Sequence, residues 1–328
     1  MINMKNAGVA GAVGLGIFFL LATGASAQTA ESTSVPVRIV VPVGPGGLND
    51  MLARLLAERM GPVLKRSFIV ENKPGANGNI AATYLSRAKP DGNTLLLGTS
   101  QMAGSATLYK KLDYDLKKDL APVALLAKTP YFLAVNKDLP VKSIGELIAM
   151  AKKQPGTLTF ASTGTGSGGH LLGESLQQKA GIKLTHVPFN SAGQYSTELI
   201  AGRVNMVFAG LPIIKPHVES GKLRVLAVTL GERSEFLPDV PTTKEGGGPE
   251  MDDTAWFGLF APSHTPADLI EQYGKVAHEI VNDPKVTALL KSNGALPQDG
   301  DPAAFSKLIN EDVEHKAQII HAAGVSLN

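Results

Sequence analysis

The 328-residue sequence contains no cysteine, a single tryptophan and only 5% aromatic residues. Without cysteine there is neither a disulfide framework nor thiolate chemistry, so stability must come from a buried core, which a chain of this length can build. So few aromatics leave no stacking platform for single-stranded nucleic acid. Thirty-one basic against 29 acidic residues give a formal charge of +2 with no basic run, which argues against nucleic acid as a partner. Catalytic signatures are missing as well. There is no Gly-x-x-x-x-Gly-Lys-Ser/Thr phosphate loop, His278-Glu279-Ile280-Val281-Asn282 ends in asparagine where a zincin needs histidine, and Thr165-Gly166-Ser167-Gly168-Gly169 lacks the first glycine of a nucleophile elbow. No metal or cofactor is expected, and an exported hydrolase stands only as a distant alternative.

What is present begins with the compartment. Lys5 precedes an apolar stretch over 7–21, followed by Ala25-Ser26-Ala27, the small-x-small pattern that signal peptidase reads. A membrane span needs about 20 apolar residues; this run is shorter and is interrupted by Gly8, Gly11, Gly14 and Gly16. Residues 1–27 therefore read as a signal peptide, and the exported mature chain is expected to start at Gln28.

Val40-Val41-Pro42-Val43-Gly44-Pro45-Gly46-Gly47-Leu48-Asn49-Asp50 runs from a β-branched segment through a glycine-proline turn into a helical pattern. A helix N-terminus presents unpaired N–H groups and partial positive charge, and glycine lets a ligand approach the backbone, so this junction suits a small anion. The same glycines would equally serve a plain strand-to-helix turn. A second cluster, Ala161-Ser162-Thr163-Gly164-Thr165-Gly166-Ser167-Gly168-Gly169-His170, repeats the arrangement. Residues 164–169 match the dinucleotide fingerprint, but no acidic residue lies between Glu174 and Glu198 to hold a ribose. His170 is open to two readings, a ligand contact or a first-turn ring bonded to nearby backbone.

Strands are predicted over 68–70, 94–98, 123–127, 158–161, 183–187, 204–208 and 223–229, and helices over 80–87, 144–153, 171–179 and 195–201. This βαβα alternation predicts parallel sheets covered on both faces. Ser143 with Glu146 reads as a capping box, and Thr265-Pro266, Asp283-Pro284 and Asp301-Pro302 each put a capping side chain before a first-turn proline in a mostly helical tail. So many strands suit two lobes. Segments 132–135 and 256–260 are read as chain crossings, giving a first lobe of 35–130 plus 255–328 and an inserted second lobe of 131–254.

Pro42-x-x-Pro45-Gly46-Gly47-x-x-Asp50 resembles the hallmark loop of the Bug family, periplasmic solute-binding receptors of tripartite tricarboxylate transporters. Collinear matches follow at 71–78, 91–100, 108–115, 166–171, 186–189, 221–228, 237–242 and 256–262, so the resemblance spans the mature chain. It implies a two-lobed α/β periplasmic binding protein fold, type II-like, closing its cleft over a small carboxylate. By the same resemblance Val43, Gly46, Gly47, Asn49 and Asp50, with Thr99 and Ser100, form the first-lobe site. Ser162, Gly164, Ser167 and His170, then Phe189, Asn190 and Ser191, and finally Ala209 and Gly210 line the other side. Asp50 is expected to fix its loop rather than meet an anion, since like charges repel. Many members carry Lys-Gly where this chain has Asn190-Ser191, and Asp-Asn or Asp-Ser where it has Ala209-Gly210. Loss of that carboxylate disfavours an amino acid ligand. The implied partner is a membrane permease, or alternatively a membrane sensor, and the receptor is expected to be a monomer.

Overall fold

Val37, Ile39 and Val41 point to one face of the first strand and Val40 to the other, and both faces are buried, which places this strand inside a sheet. The computed structural model describes residues 35–327; the predicted signal peptide lies outside the described residues. In chain order the first half comprises β1 (Val37–Val41), α1 (Leu48–Leu64), β2 (Phe68–Asn72), α2 (Asn79–Ser86), β3 (Thr94–Thr99), α3 (Ser105–Leu108), β4 (Leu120–Pro130), β5 (Phe132–Asn136), α4 (Ile144–Lys153) and β6 (Thr159–Ser162). The second half comprises α5 (Gly168–Ala180), β7 (Thr185–Pro188), α6 (Ala192–Ile200), β8 (Met206–Ala209), α7 (Leu211–Glu219), β9 (Leu223–Val228), β10 (Thr254–Pro262), α8 (Ala267–Val281), α9 (Pro284–Ser292), β11 (Leu296–Pro297) and α10 (Pro302–Ala323).

Two sheets result, one ordered β11-β4-β10-β3-β1-β2 and the other β7-β6-β8-β5-β9. Each has apolar clusters on both faces. Leu52, Leu56 and Tyr273 help cover one side of the first sheet, while Trp256, Phe260 and Phe305 pack on the other with ring centroids 5.0–6.2 Å apart. A Cβ on Gly258 would come within 2.1 Å of the Phe305 ring, so this packing requires glycine. In the second sheet Phe160, Leu172 and Leu176 fill one face, and Tyr195, Leu199 and Ile214 the other.

The expected parallel pairing is present for β1 with β2 and β3 and for β6 with β7 and β8, and is corrected elsewhere. β10 runs antiparallel to both β3 and β4, and β5 antiparallel to both β8 and β9. The chain passes from one sheet to the other and later returns, and the strands flanking those passages pair against the local direction. Segments 132–135 and 256–260 accordingly lie inside β5 and β10 rather than forming the crossings. The outward crossing is at Tyr131, and the return runs through Thr229 and Asp253. There the Thr229 N–H donates to the Tyr131 carbonyl (2.9 Å) and the Asp253 N–H to the Thr229 carbonyl (3.1 Å).

Helix starts follow their local signals with two differences. Asp283 caps α9 and Asp301 caps α10 through backbone N–H groups. Ser143 accepts the Glu146 N–H, but the Glu146 carboxylate accepts from the N–H of Lys142, one residue before the position a capping box uses. The Thr265 hydroxyl donates to the Pro262 carbonyl (2.7 Å) instead of capping, and α8 begins at Ala267.

Candidate functional site

β1 and β3 are parallel neighbours, so their carboxyl ends release Val43 and Thr99 at one edge of the first sheet. In the second sheet β6 pairs in parallel with β7 and β8, bringing the segments after Ser162, Pro188 and Ala209 to one edge. Ligand crevices of open α/β sheets lie at such edges.

At the first junction α1 starts behind Gly47, which has extended backbone (φ −89°, ψ 174°) and no side-chain cap. Added Cβ atoms on Gly44, Gly46 and Gly47 would meet nothing within 4 Å, so the loop faces open space. The Asp50 carboxylate is buried. It accepts the Gly46 N–H (3.1 Å), Arg54 Nε (2.9 Å) and Asn72 Nδ2 (2.9 Å), while Asn72 also donates to the Val43 carbonyl. Chiefly the Arg54 hydrogen bond, outweighing burial, holds the carboxyl down to about 2. Asp50 therefore locks the loop, and it consumes the Gly46 N–H. The N–H groups that an α-helix leaves unpaired in its first turn are those that follow Gly47. Asn49 Nδ2 donates to the Leu97 carbonyl (3.2 Å), tying α1 to β3 next to Thr99 and Ser100, and its Oδ1 is buried without a protein partner. The Ser100 carbonyl accepts from Lys316 Nζ (2.8 Å), so α10 supports that corner from behind.

At the second junction the polar side chains turn inward. Ser162 is 1% exposed, and its hydroxyl accepts the Gly164 N–H (3.1 Å) and lies 2.7 Å from His186 Nε2. The Ser167 hydroxyl donates to the Gly164 carbonyl (2.7 Å). His170 is 3% exposed; its Nδ1 accepts the Gly166 N–H (3.1 Å), and Nε2 sits 3.6 Å from Glu174. The ring is thus bonded to nearby backbone, the contact that one of the two sequence readings describes. Burial pushes both His170 and His186 down to about 4, so both rings are neutral at pH 7. Thr163 and the peptides of Gly164 and Thr165 form the more accessible part of this loop.

The Phe189 N–H donates to the Ser162 carbonyl (3.0 Å), which keeps 189–191 beside this loop, and the Ser191 hydroxyl caps α6 through the Gln194 N–H. Ala209 is 3% exposed and packs in the apolar cluster with Phe132, Tyr195 and Leu211 at the end of β8; Gly210 follows as the N-cap of α7.

Residues outside the sequence expectation join the two junctions. Asn77 Nδ2 donates to the Thr165 carbonyl (3.3 Å) from the first-sheet side, and a Cβ on Gly78 would lie 3.2 Å from Pro42. A Cβ on Gly166 would come within 2.1 Å of Leu108, and one on Gly168 within 2.1 Å of the Tyr131 hydroxyl. Asn72 and His186 are matched positions of the family resemblance, which is the sequence signal that marks them, whereas Asn77 falls on an unmatched position inside such a segment and carries none. Leu108 opens another such segment, whereas Tyr131 carries no local signal.

The Ser162–His186 pair is poorly placed for nucleophilic catalysis. The Ser162–His186 contact puts the hydroxyl in the protein interior, and an imidazole titrating near 4 is a weak general base at neutral pH. Among the described residues no group of three or more histidine or acidic side chains is placed to hold a metal. No described helix is long and apolar enough to cross a membrane.

The profile of the tripartite tricarboxylate transporter family receptor matches residues 52–325. The protein BugT of Bordetella pertussis is 31% identical over 316 residues, 95% of this chain and 97% of BugT. Among solved structures, R. palustris Rpa4515 with adipate superposes with a TM-score of 0.80 at 33% identity, over 90% of this chain and 99% of that one. MatC of Rhodopseudomonas palustris with bound malate gives 0.76 at 31% identity, over 87% and 98%.

Proposed function

Because this chain belongs to the tripartite tricarboxylate transporter receptor family, we propose that it captures a small carboxylate between two lobes and delivers it to the permease subunits of such a transporter. The observation that carries the reading is the pairing of two uncapped strand-glycine-helix junctions, bridged by Asn77 and Thr165. The lobes are taken as 35–130 with 255–328, and 131–254. One ligand carboxylate is received by the N–H groups that open α1 behind Gly47, with Thr99 and Ser100 beside it. The loop at 163–165, the Asn190-Ser191 segment and the strand end at Ala209-Gly210 enclose the remainder. Adipate in Rpa4515 and malate in MatC support a dicarboxylate.

The receptor acts without catalysis, as a periplasmic monomer whose mature chain starts at Gln28. A thermal-shift screen of mono- and dicarboxylates tests the binding step. Ligand at 100 times its Kd adds about 2.7 kcal/mol, which moves the melting temperature by several degrees. A flat response across the panel would sink the reading. Delivery to a permease rather than a membrane sensor is tested by uptake of the bound carboxylate in cells with and without the receptor gene.

A further inference from the structure

Beneath the second glycine loop three rings form a stack. His186 lies 4.9 Å from Phe160 and 4.1 Å from His170, centroid to centroid. The stack reaches the loop through polar atoms at two points, Ser162 beside His186 and the Gly166 N–H on His170 Nδ1. Since Nδ1 accepts a hydrogen bond, the proton of the neutral His170 ring is on Nε2, toward Glu174. A second proton would have to go on Nδ1, setting N–H against the Gly166 N–H. The contact would then break. Leu108 fills the space over Gly166 and Tyr131 the space over Gly168, so a small local shift cannot restore the contact and the loop has to leave this packing as a unit.

We propose that His170 is the positioning residue of the second glycine loop, holding it in its ligand-receiving form while the ring is neutral and releasing it when Nδ1 takes a proton. This rests on the reading that the loop is one half of a carboxylate site. The groups facing His170 are few. Glu174, on its own helix, lies 3.6 Å from Nε2 and favours the charged ring, although burial pushes that carboxyl up toward neutrality. From β7 comes His186, which opposes a charge on its neighbour, and from β6 only the uncharged Phe160 ring. Burial first, and then His186, hold the ring down to about 4. Release of the loop uncovers the ring and eases the burial that holds it down, so the released form takes the proton more readily, and the open population rises on acidification, by at most about tenfold per pH unit.

The test uses the mature protein and two variants. His170→Asn keeps an acceptor where Nδ1 stands and cannot titrate, while His170→Ala has no acceptor. Amide exchange of Gly166 is followed by NMR and corrected for the intrinsic rate at each pH. At pH 7 His170→Ala should lose at least tenfold in Gly166 protection, and His170→Asn should stay within threefold of wild type. From pH 6.0 to 4.5 wild-type protection should fall at least tenfold while His170→Asn stays nearly level. Equal protection in His170→Ala and wild type, or equal slopes in wild type and His170→Asn, would overturn the proposal. Adipate and malate are titrated in parallel at pH 7.5. Whichever one wild type binds should bind His170→Ala at least tenfold more weakly, and unaltered affinity alongside lost protection would also overturn it. If wild type binds neither, the positioning role for a carboxylate falls with adipate and malate as ligands, while the exchange data still decide separately whether His170 holds the loop.

Discussion

The Thr229 hydroxyl accepts the Tyr131 N–H at 3.2 Å, joining the two places where the chain passes between the sheets. The same hydroxyl lies 2.7 Å from the Asp253 carbonyl, and the residue is fully buried. A single side chain thus laces both crossings, where any movement of the proposed lobes would have to be absorbed.

Thr229→Val keeps the shape and removes the hydroxyl, leaving the Tyr131 N–H without that acceptor. A loss of about 1–3 kcal/mol in urea-unfolding stability is expected, together with faster ligand dissociation as the crossings loosen. Wild-type stability would show that the hydroxyl contributes nothing net.

Asp50→Asn tests the loop lock. It weakens the contacts to Arg54 and the Gly46 N–H, and since Arg54 is half exposed the expected cost is modest, about 1–2 kcal/mol. The larger consequence is a higher Kd for the bound carboxylate, measured by calorimetry. If Asp50 instead repelled the ligand, the variant would bind more tightly.

Gly47→Val probes the approach of the ligand. Gly47 is extended and its Cβ would meet open space, so the fold should lose no more than about 1 kcal/mol. Binding should nevertheless be abolished, because the branched side chain stands over the helix N-terminus, whereas Lys285→Ala on the surface of α9 should leave Kd unchanged. Equal Kd in Gly47→Val and wild type would move the ligand elsewhere.

Stability should respond to acid in two steps. His170 and His186 are held near 4, below the ordinary 6.5. The folded state is thus unburdened above pH 6.5, and stability falls as pH drops from 6.5 to 4 while the unfolded chain takes up protons. The slope is ~1.4 kcal/mol per pH unit for each ring. Asp50, held near 2, contributes stability that is complete above its ordinary 3.8 and disappears as pH falls from there toward 2. His315 is raised by Asp253, so its contribution is already complete below 6.5 and does not enter this window. Melting temperatures of the double variant H170N/H186Q should not decline from pH 6.5 to 4.5 as those of wild type do, since Glu174, raised by burial, acts in the opposite direction there; parallel curves would contradict this.

Carboxylates without an amino group should bind better than their amino acid counterparts. Ala209 supplies no carboxylate, and that of Asp50 is occupied by Arg54, Asn72 and the Gly46 N–H. An ammonium left unpaired in a closed cleft costs several kcal/mol. Succinate should therefore outrank aspartate, and glutarate outrank glutamate, in calorimetric affinity; the reverse order would mean that another acceptor holds the amine.

Sequence alone determined the features whose cause is local. The β-branched run at 37–41, the glycines opening α1 and α5, and the aspartates capping α9 and α10 act within a few residues of themselves, and they appear in the structure where their spacing puts them. Family resemblance extended this to the whole chain. Only the tertiary structure decided which of those groups are free. Asp50 claims the Gly46 N–H, Ser162 and Ser167 turn toward Gly164, and His170 braces Gly166 beneath a histidine 16 positions on. Asn77 meets Thr165 across 88 residues, and Tyr131 meets Thr229 across 98. These partners are brought together by sheet order and by the antiparallel strands at the crossings, neither of which leaves a period in the sequence. A hydrogen-bonding residue shows its chemistry locally, but whether that chemistry is already spent depends on what the rest of the chain packs against it.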